Sequence, residues 1–277
     1  MSKRERVEEL GVLLRGWRGV RGRTQLELSF ESGISQRHIS FVETGRSIPG
    51  RRTLMELAQA LDVPFRERNA LLLAAGYAPV YAESAWDAPE MGSLNAALQR
   101  MLRQHDPYPA IVMDRYWNVV MANDAAPRFF GSFIDMSARK GPRNMLLLIF
   151  DPEGMRPFVH DWDSVARALV ERVRREAVGR VIDEPTKELL ASLMSYPNVR
   201  ADWDRSGPVG PTPVIPLGFV KDGLVLNYFS IVSTVGTPQT ITAQELRIEC
   251  MFPADHATEA RHAAIMAAAA PTSGALA

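Results

Sequence analysis

Three features are scarce in this chain of 277 residues: cysteine, long apolar runs and net charge. The single cysteine, Cys250, excludes a disulfide framework within the chain and fits a reducing compartment. No apolar run approaches the roughly 20 residues of a membrane span, and the N-terminal stretch is too polar for a signal peptide. We therefore expect a cytoplasmic protein, and its length predicts two domains.

The sequence patterns of common enzyme classes are also missing. We find no Gly-x-Ser-x-Gly elbow, no Walker loop and no glycine set of a dinucleotide site. His256, Glu259 and His262 are spaced like residues on one helical arc, but a solvated face explains them better than a metal site. The sequence thus predicts no catalysis, no cofactor and no metal. Processing of an acyl thioester is the enzymatic alternative.

The formal net charge is zero, which by itself would argue against a nucleic-acid partner. The distribution of charge matters more. Residues 1–78 hold 13 lysines and arginines against 9 acidic residues, whereas the remaining 199 residues hold 19 against 23. The positive excess in the first part predicts salt-sensitive binding of moderate strength to DNA.

The stretch from Thr24 to Gly45 predicts two short helices joined by a tight turn. Thr24 and Glu27 have the spacing of a capping box, in which hydroxyl and carboxylate satisfy amide groups at a helix start. Gly33 follows the first helix, where a left-handed backbone makes the sharp turn. Ser35 is suited to cap the second helix, which Gly45 ends.

The second helix has an outward face of polar and aromatic side chains. Its members are Gln36, Arg37, Ser40 and Phe41. Glutamine can pair with adenine and arginine with guanine through two hydrogen bonds each, and an apolar ring can contact a thymine methyl group. Gln25, at the start of the first helix, is placed to hold a phosphate. The pattern predicts a helix that enters the DNA major groove.

The motifs TQ at the first helix, SQRHIS at the second and ETGRxxP from residue 43 resemble the helix-turn-helix of the Xre and Cro/phage-repressor family. The resemblance implies an all-α, lambda-repressor-like domain, and amphipathic stretches at 7–20, 52–61 and 64–76 complete five helices. In that family the loop after the second helix runs beside the DNA backbone, which implies a phosphate contact for Arg46. A helical hairpin without DNA contact is the alternative. The expected DNA-binding residues are Gln25, Ser35, Gln36, Arg37, Ser40, Phe41 and Arg46.

The pattern changes after the helical part. We expect a DNA-binding domain over 1–78, a linker over 79–92, a second domain over 93–255 and an Ala-rich tail over 256–277 that frays. The β-rich stretches are 110–113, 117–122, 214–220, 224–233 and 240–252. The helical stretches are 94–104, 123–130, 165–182 and 184–195. This order predicts an α+β, PAS-like domain whose five-stranded antiparallel sheet carries helices on one side.

A second resemblance covers nearly the whole chain, from about residue 8 to 253. YPAIVMDRYWNVVMAN (108–123), the RN-x5-FDP pattern of 143–152 and the DW pair of 161–162 resemble the MmyB-like regulator ligand-binding domain. Members of that family carry an Xre-type helix-turn-helix ahead of a PAS-like domain and are associated with fatty-acid-like small molecules. The Pro- and Gly-rich stretch 201–223 departs from the family pattern, since the expected histidine is missing.

The second domain combines large apolar side chains with a few polar ones, as expected of a small-molecule pocket. The expected ligand-binding residues are Trp117, Asn123, Phe130, Arg143, Asn144, Trp162 and Tyr228. Arg143 and Asn144 would hold a carboxylate head, while the aromatic side chains would line an apolar part. Two alternatives stay open: the aromatics are ordinary core, or Arg143 pairs with Asp135, Asp151 or Asp161 instead.

These patterns together predict a transcription regulator. It would bind a near-palindromic operator as a homodimer, because one helix reads only a few base pairs. A small hydrophobic, fatty-acid-like effector in the second domain would change the spacing of the two helix-turn-helices. The alternative is a DNA-binding protein whose second domain only dimerises.

Overall fold

The computed structural model describes residues 3–139, 143–176, 183–200 and 217–269. The chain divides into two compact units. The helical unit comprises the described residues up to Ser84 together with Thr237–Gln244, and the mixed unit comprises the other described residues from Ala85 onward. Among the described residues, the chain leaves the helical unit after Ser84 and returns to it at Thr237–Gln244.

Five helices precede Ser84 in the helical unit. They are α1 (Lys3–Val20), α2 (Gln25–Ser32), α3 (Gln36–Glu43), α4 (Arg51–Ala60) and α5 (Phe65–Ala74). Apolar residues three and four apart give each helix an inward stripe. These stripes meet in one core that includes fully buried Leu14, Leu28, Ile39 and Leu57. The five-helix domain predicted from the sequence is therefore observed.

Local capping fixes α2 and α3 where the sequence places them. The Thr24 hydroxyl accepts a hydrogen bond from the Glu27 amide at 3.1 Å, and the Glu27 carboxylate accepts from the Thr24 amide at 2.7 Å. Gly33 has the left-handed backbone expected of the turn, with φ of 72°. Ser35 caps α3 by accepting from the His38 amide at 3.3 Å. The helix-turn-helix geometry thus follows from signals a few residues apart.

The mixed unit contains a sheet and helices. Its elements are α6 (Gly92–Gln104), β1 (Ala110–Met113), β2 (Val119–Ala122), α7 (Ala125–Gly131), α8 (Met145–Phe150), β3 (Val159–His160), α9 (Trp162–Glu176), α10 (Glu184–Ser195), β4 (Leu217–Lys221), β5 (Leu224–Ser233), β6 (Arg247–Pro253) and α12 (His256–Ala268). Between β5 and β6 lies α11 (Ile241–Glu245), which belongs to the helical unit up to Gln244. Residues 177–182 of the expected long helix and 214–216 of an expected strand lie outside the described residues.

Within the described part of the chain the sheet has six antiparallel strands in the order β2-β1-β6-β5-β4-β3, so the expectation of five strands was wrong. The additional strand, β3, is two residues long, and Val159 pairs with Phe219 of β4. A strand this short has no alternating pattern to reveal it, because its pairing is set by the neighbouring strand. The main core lies between one face of the sheet and the helices α7 to α10.

Two other expectations about the mixed unit were wrong. The stretch 240–252 is not one strand, because the Thr240 hydroxyl accepts from the Ala243 amide and starts α11 before β6 begins. The tail does not fray over 256–268 but forms α12. Asp255 caps this helix by accepting from the Thr258 amide at 2.7 Å. The apolar side chains of α12 pack on the core. Residues 270–277 lie outside the described part.

Hydrogen bonds to the helical unit hold the segment Thr237–Gln244. The Ile241 amide donates to the Ala82 carbonyl at 2.9 Å. The Thr242 hydroxyl donates to the Ser84 carbonyl at 2.7 Å, and the Gln244 side-chain oxygen accepts from the Phe65 amide at 2.8 Å. The last bond satisfies one of the free amides at the start of α5, where Pro64 offers no side-chain cap.

Candidate nucleic-acid interface and ligand cavity

Helix α3 presents a polar, cationic surface. Gln36 and Arg37 are exposed at its start. The Arg37 guanidinium carbon lies 5.3 Å from the centroid of the Phe41 ring, and that of Arg46 lies 5.9 Å from the same ring. These cation–aromatic contacts hold both guanidinium groups beside one ring. The structure therefore brings Gln36, Arg37, Phe41 and Arg46 to one surface.

The buried carboxylate of Glu43 holds α3 against α1 and α2. The Arg18 guanidinium donates to its two oxygens at 2.6 and 2.9 Å, and the Gln25 amide donates at 2.8 Å. Arg15 also donates to the Glu43 carbonyl at 2.8 Å. Burial raises the pKa of Glu43, but the hydrogen bonds from Arg18 and Gln25 outweigh it, so the pKa lies below its usual value. One carboxylate thus ties α1 and α2 to α3.

The remaining DNA-binding candidates are engaged within the unit. The Gln25 amide nitrogen is committed to Glu43, which leaves its backbone and its side-chain oxygen for other contacts. The Ser35 hydroxyl caps α3. Ser40 is half-buried, and its carbonyl accepts from the Thr44 hydroxyl at 2.7 Å. These three residues therefore support the surface of α3 more directly than they extend it.

The mixed unit encloses a small apolar cavity of about 40 Å³. Its walls come from β1, β4 and β6 and from α7, α8 and α9, with Trp117 from the turn before β2. Phe130, Met145 and Met251 are among the lining side chains, and Glu249 is the single charged residue among those described. Trp117 and Phe130, both expected at the ligand, therefore lie at this cavity.

Glu249 is neutralised by Arg172 of α9. Two guanidinium nitrogens of Arg172 lie 3.2 and 3.0 Å from the two Glu249 oxygens, and its third nitrogen lies 2.7 Å from Glu176. The guanidinium carbon also lies 4.4 Å from the centroid of the Trp117 ring. Burial by itself lowers the pKa of Arg172, but the charges of Glu249 and Glu176 raise it above the usual value. The Arg172–Glu249 ion pair thus lies at the edge of the cavity, and the guanidinium group of the same arginine lies over the Trp117 ring.

Trp117 adopts a backbone conformation that is rare for a bulky residue. Its φ is +67°, in the left-handed region that costs side chains energy. The Met145 amide donates to the Trp117 carbonyl at 3.0 Å, and the Trp117 amide donates to the Asp114 carbonyl at 3.1 Å. Strained residues of this kind tend to occur at functional sites, where the surrounding structure holds them.

The two amides expected to bind ligand have internal partners. Asn144 caps α8 by accepting from the Leu146 amide at 3.1 Å and donates to the Tyr116 carbonyl at 2.7 Å. Asn123 accepts from the Ala110 amide at 3.0 Å and donates to Asp106 at 2.8 Å. Both amides hold the chain around β1 and β2, which carries Trp117 to the cavity.

The other three ligand candidates are not among the described lining residues of this cavity. The Arg143 side chain is exposed, and its carbonyl accepts from the Val119 amide at 2.6 Å. Trp162 packs against Phe150, with ring centroids 5.1 Å apart. Tyr228 is buried, with its hydroxyl 2.8 Å from Nδ1 of His262. The described lining of this cavity therefore includes Trp117 and Phe130 but neither Arg143 nor Asn144.

Sequence reasoning missed Arg172 and Glu249. They are separated by 77 residues, so no local spacing connects them. One signal was available for Glu249, because it stands two residues before Met251 in β6 and therefore points to the same face of the sheet. A charge on a core-facing position of a strand indicates a buried partner or a site.

Among the described residues, no helix has the length and apolar character needed to cross a membrane. In the same part of the chain, no group of three His, Cys, Asp or Glu side chains is placed to hold a metal ion. His256 and Glu259 form an exposed pair at 3.2 Å. His262 is buried instead, and its Nε2 donates to the Pro107 carbonyl at 2.9 Å.

Comparison with known proteins gives two family matches. Residues 94–264 match the MmyB-like transcription regulator ligand binding domain, and residues 14–68 match the helix-turn-helix domain. A stretch of 58 residues is 40% identical to the uncharacterised HTH-type transcriptional regulator y4dL of Sinorhizobium fredii (strain NBRC 101917 / NGR234), covering 21% of this chain and 30% of that protein. The matched stretch thus spans under a third of the relative. The chain belongs to the family of MmyB-like transcription regulators, with a helix-turn-helix domain ahead of the ligand-binding domain.

Proposed function

We propose that this protein regulates transcription by binding operator DNA through α3 and a small hydrophobic, fatty-acid-like effector through the mixed unit. The observation that carries the proposal is the surface of α3. Gln36 and Arg37 are exposed on a helix that Glu43 fixes to α1 and α2. A fixed helix whose exposed side chains can read base edges is suited to major-groove recognition.

Charge supports the DNA-binding half of the proposal. Residues 1–78 carry a positive excess of four, from 13 basic and 9 acidic residues. Arg37 and Arg46 add two guanidinium groups to the surface of α3. Basic groups of this kind bind phosphates and release counterions, so the affinity falls as salt rises.

We further propose that two copies bind together. A single α3 covers only a few base pairs, whereas two helices about 34 Å apart read two half-sites of a near-palindromic operator. Light scattering of the full chain, alone and with operator DNA, measures this directly. A single copy bound per operator would contradict the homodimer.

The cavity supports the ligand-binding half. Its described lining is apolar apart from Glu249, as in small-molecule sites that bury hydrophobic ligands. About 40 Å³ holds only a short apolar segment. Met145 and Met251 line it, and unbranched methionine side chains adapt readily to a new occupant. A ligand that binds a conformation with a wider cavity would raise the population of that conformation. The affinity for DNA would change with it.

The DNA-binding half is tested by selecting operator sequences from random DNA and measuring affinity by fluorescence anisotropy. Arg37→Ala should cost about 1–3 kcal/mol on the selected operator and much less on random DNA. Arg103→Ala, which removes an exposed arginine of α6, is the control and should change neither. An equal loss on both DNAs would assign Arg37 to phosphate contact.

The ligand-binding half is tested by native mass spectrometry of the full chain with added aliphatic compounds. A retained compound that changes operator affinity supports the proposal. A chain that retains none, but associates through the mixed unit, would favour the alternative in which this unit only dimerises.

A further inference from the structure

We propose that Phe41 is a positioning residue, whose ring holds the side chains of Arg37 and Arg46 where they bind DNA. The inference rests on the DNA-binding half of the function proposed above. It goes beyond that half because the ring acts through the two arginines and not through a direct contact with a thymine methyl group. The ring thus raises the affinity for the operator without touching a base.

The first step concerns what the arginines of α3 and its following loop contact. Arg18 of the same unit donates to the carboxylate of Glu43 through two nitrogens. For Arg37 and Arg46, the ring of Phe41 is the one side-chain partner within the described residues. Two cations that the fold brings together without an internal acid are suited to an external anion, such as the phosphates of DNA.

The second step concerns how the backbone brings both arginines to one ring. Arg37 precedes Phe41 by four residues on α3, and residues at this spacing are neighbours on one face of a helix. Arg46 comes from the loop, where its amide donates to the Phe41 carbonyl at 2.8 Å and the Ser47 amide donates to the same carbonyl at 3.2 Å. Gly45, with φ of +70°, allows this reversal. Local structure therefore sets the arrangement before DNA binds.

The third step concerns the effect of the ring on binding. A free arginine side chain samples many rotamers and loses this freedom when it binds. Contact with an aromatic ring restricts the side chain in the free protein, so less freedom is lost in the complex. The N–H donors lie in the guanidinium plane, and contact through the face of the ring leaves them for phosphates or bases. The ring therefore strengthens the contacts that the two arginines make.

The test measures operator affinity of the full chain by fluorescence anisotropy. Phe41→Leu keeps an apolar side chain but removes the aromatic face, and it should lower the affinity about tenfold because two cation–aromatic contacts are lost. Phe41→Tyr keeps the aromatic face and should stay within about threefold of the unchanged protein. An affinity of Phe41→Leu within about twofold of the unchanged protein would overturn the inference.

A double-mutant cycle shows whether the ring acts through the arginines. In a chain that already carries Arg37→Ala and Arg46→Ala, Phe41→Leu should change the affinity by less than about twofold. This comparison is made at low salt, where binding is stronger. A tenfold loss that persists in this chain would overturn the inference. So would a loss on replacing operator thymines by deoxyuridine, which lacks the methyl group, if Phe41→Leu abolished that loss.

Phe30→Leu is the matched control. It makes the same change at a phenylalanine of α2 in the same unit, whose side chain is 79% exposed. This variant should leave the operator affinity unchanged. An equal loss in Phe30→Leu and Phe41→Leu would show that the loss does not depend on the contacts with Arg37 and Arg46, and it would overturn the assignment.

A measurement on the unchanged, DNA-free protein needs no substitution at Phe41, so the inference stays falsifiable if Phe41→Leu fails to fold. The NMR order parameters of the Nε–H groups should be higher for Arg37 and Arg46 than for Arg103, an exposed arginine of α6. Equal mobility of the three, in a protein that selects an operator, would overturn the inference and leave the proposed function standing. Failure to select any operator would overturn the proposed function instead.

Discussion

Arg18–Glu43 in the helical unit and Arg172–Glu249 in the mixed unit are the same kind of ion pair in different surroundings. Each arginine places two nitrogens on its glutamate. The Glu43 side chain is 1% exposed and is also bound by Gln25. Glu249 is 14% exposed and stands beside a cavity. The two pairs therefore differ in their surroundings, because closely packed helices enclose Glu43 whereas Glu249 lies beside a cavity.

Space is the main difference between the two surroundings. Around Glu43 the helices are in close contact: a Cβ atom on Gly11 would lie 2.7 Å from the Glu43 carbonyl oxygen. A ligand has no room there, so the pair can only hold the helices together. Around Glu249 there is a void, and a second carboxylate, Glu176, shares the same arginine. The second pair therefore lies beside free space and has a second acid on its arginine.

The largest expected effect tests this difference in stability. Glu43→Ala should destabilise the helical unit by about 3–5 kcal/mol, because it leaves Arg18 without its buried partner. Glu249→Ala should cost only about 1 kcal/mol, since Arg172 keeps Glu176. Urea unfolding monitored by hydrogen exchange measures the unfolding free energy of each unit separately. Equal losses for the two variants would break the comparison.

A smaller effect tests the close packing around Glu43. Gly11→Ala should destabilise the protein by about 1–3 kcal/mol, because the new methyl group meets backbone atoms that cannot move aside easily. Gly16→Ala, in the same helix, places its methyl group where no atom lies within 4 Å. It should stabilise α1 by about 0.5–1 kcal/mol. Thermal unfolding shows whether each variant is more or less stable than the unchanged protein. A change in the same direction for both variants would contradict the packing argument.

The smallest expected effect separates the two units by pH. Burial lowers the pKa of His262 below 6.5, so the unfolded chain takes up a proton first as pH falls. The stability that neutral His262 contributes is therefore complete above about pH 6.5 and lost below it. The pKa of Glu43 is lowered from 4.5, so its contribution is lost only below about pH 4.5. The mixed unit should weaken first on acidification.

The measurement is the urea midpoint at pH 7.5 and 5.5 for the unchanged protein and two variants. His262→Gln keeps an acceptor for Tyr228 and a donor for Pro107 but does not titrate in this range, so its midpoint should fall less between the two pH values. His256→Gln, an exposed residue on the same helix, should behave like the unchanged protein. If the urea midpoint of His262→Gln falls between pH 7.5 and 5.5 as much as that of the unchanged protein, His262 is excluded as the cause of the loss of stability.

The sequence predicts the helical unit better than the mixed unit, for a physical reason. The Thr24–Glu27 capping box and the left-handed Gly33 depend on residues three to four positions apart, and the structure confirms both. The strand β3 and the pairing of Arg172 with Glu249 depend on residues far apart in the chain. Side chains brought together by the fold leave no local pattern.

The candidate ligand site shows the same limit. Trp117 and Phe130 were expected at the ligand because large aromatic side chains are common in pockets, and both line the cavity. Arg143 and Asn144 were expected as its polar end because they precede an apolar run. Asn144 instead caps α8, a local use that its position before the run also fits. Composition suggests the walls of a site, whereas its polar groups depend on the tertiary structure.

The return of Thr237–Gln244 to the helical unit bears on how the chain is made. A ribosome releases the five helices of this unit first, and such segments begin to fold as they emerge. The hydrogen bonds that the Phe65 amide and the carbonyls of Ala82 and Ser84 make with the returning segment cannot form until residue 244 has been synthesised. A nascent chain stopped before that point, or a gene fragment ending at residue 84, would contain the helix-turn-helix but lack the hydrogen bonds from Thr237–Gln244. Completion of the DNA-binding unit is thus coupled to synthesis of β5, which precedes the returning segment in the chain.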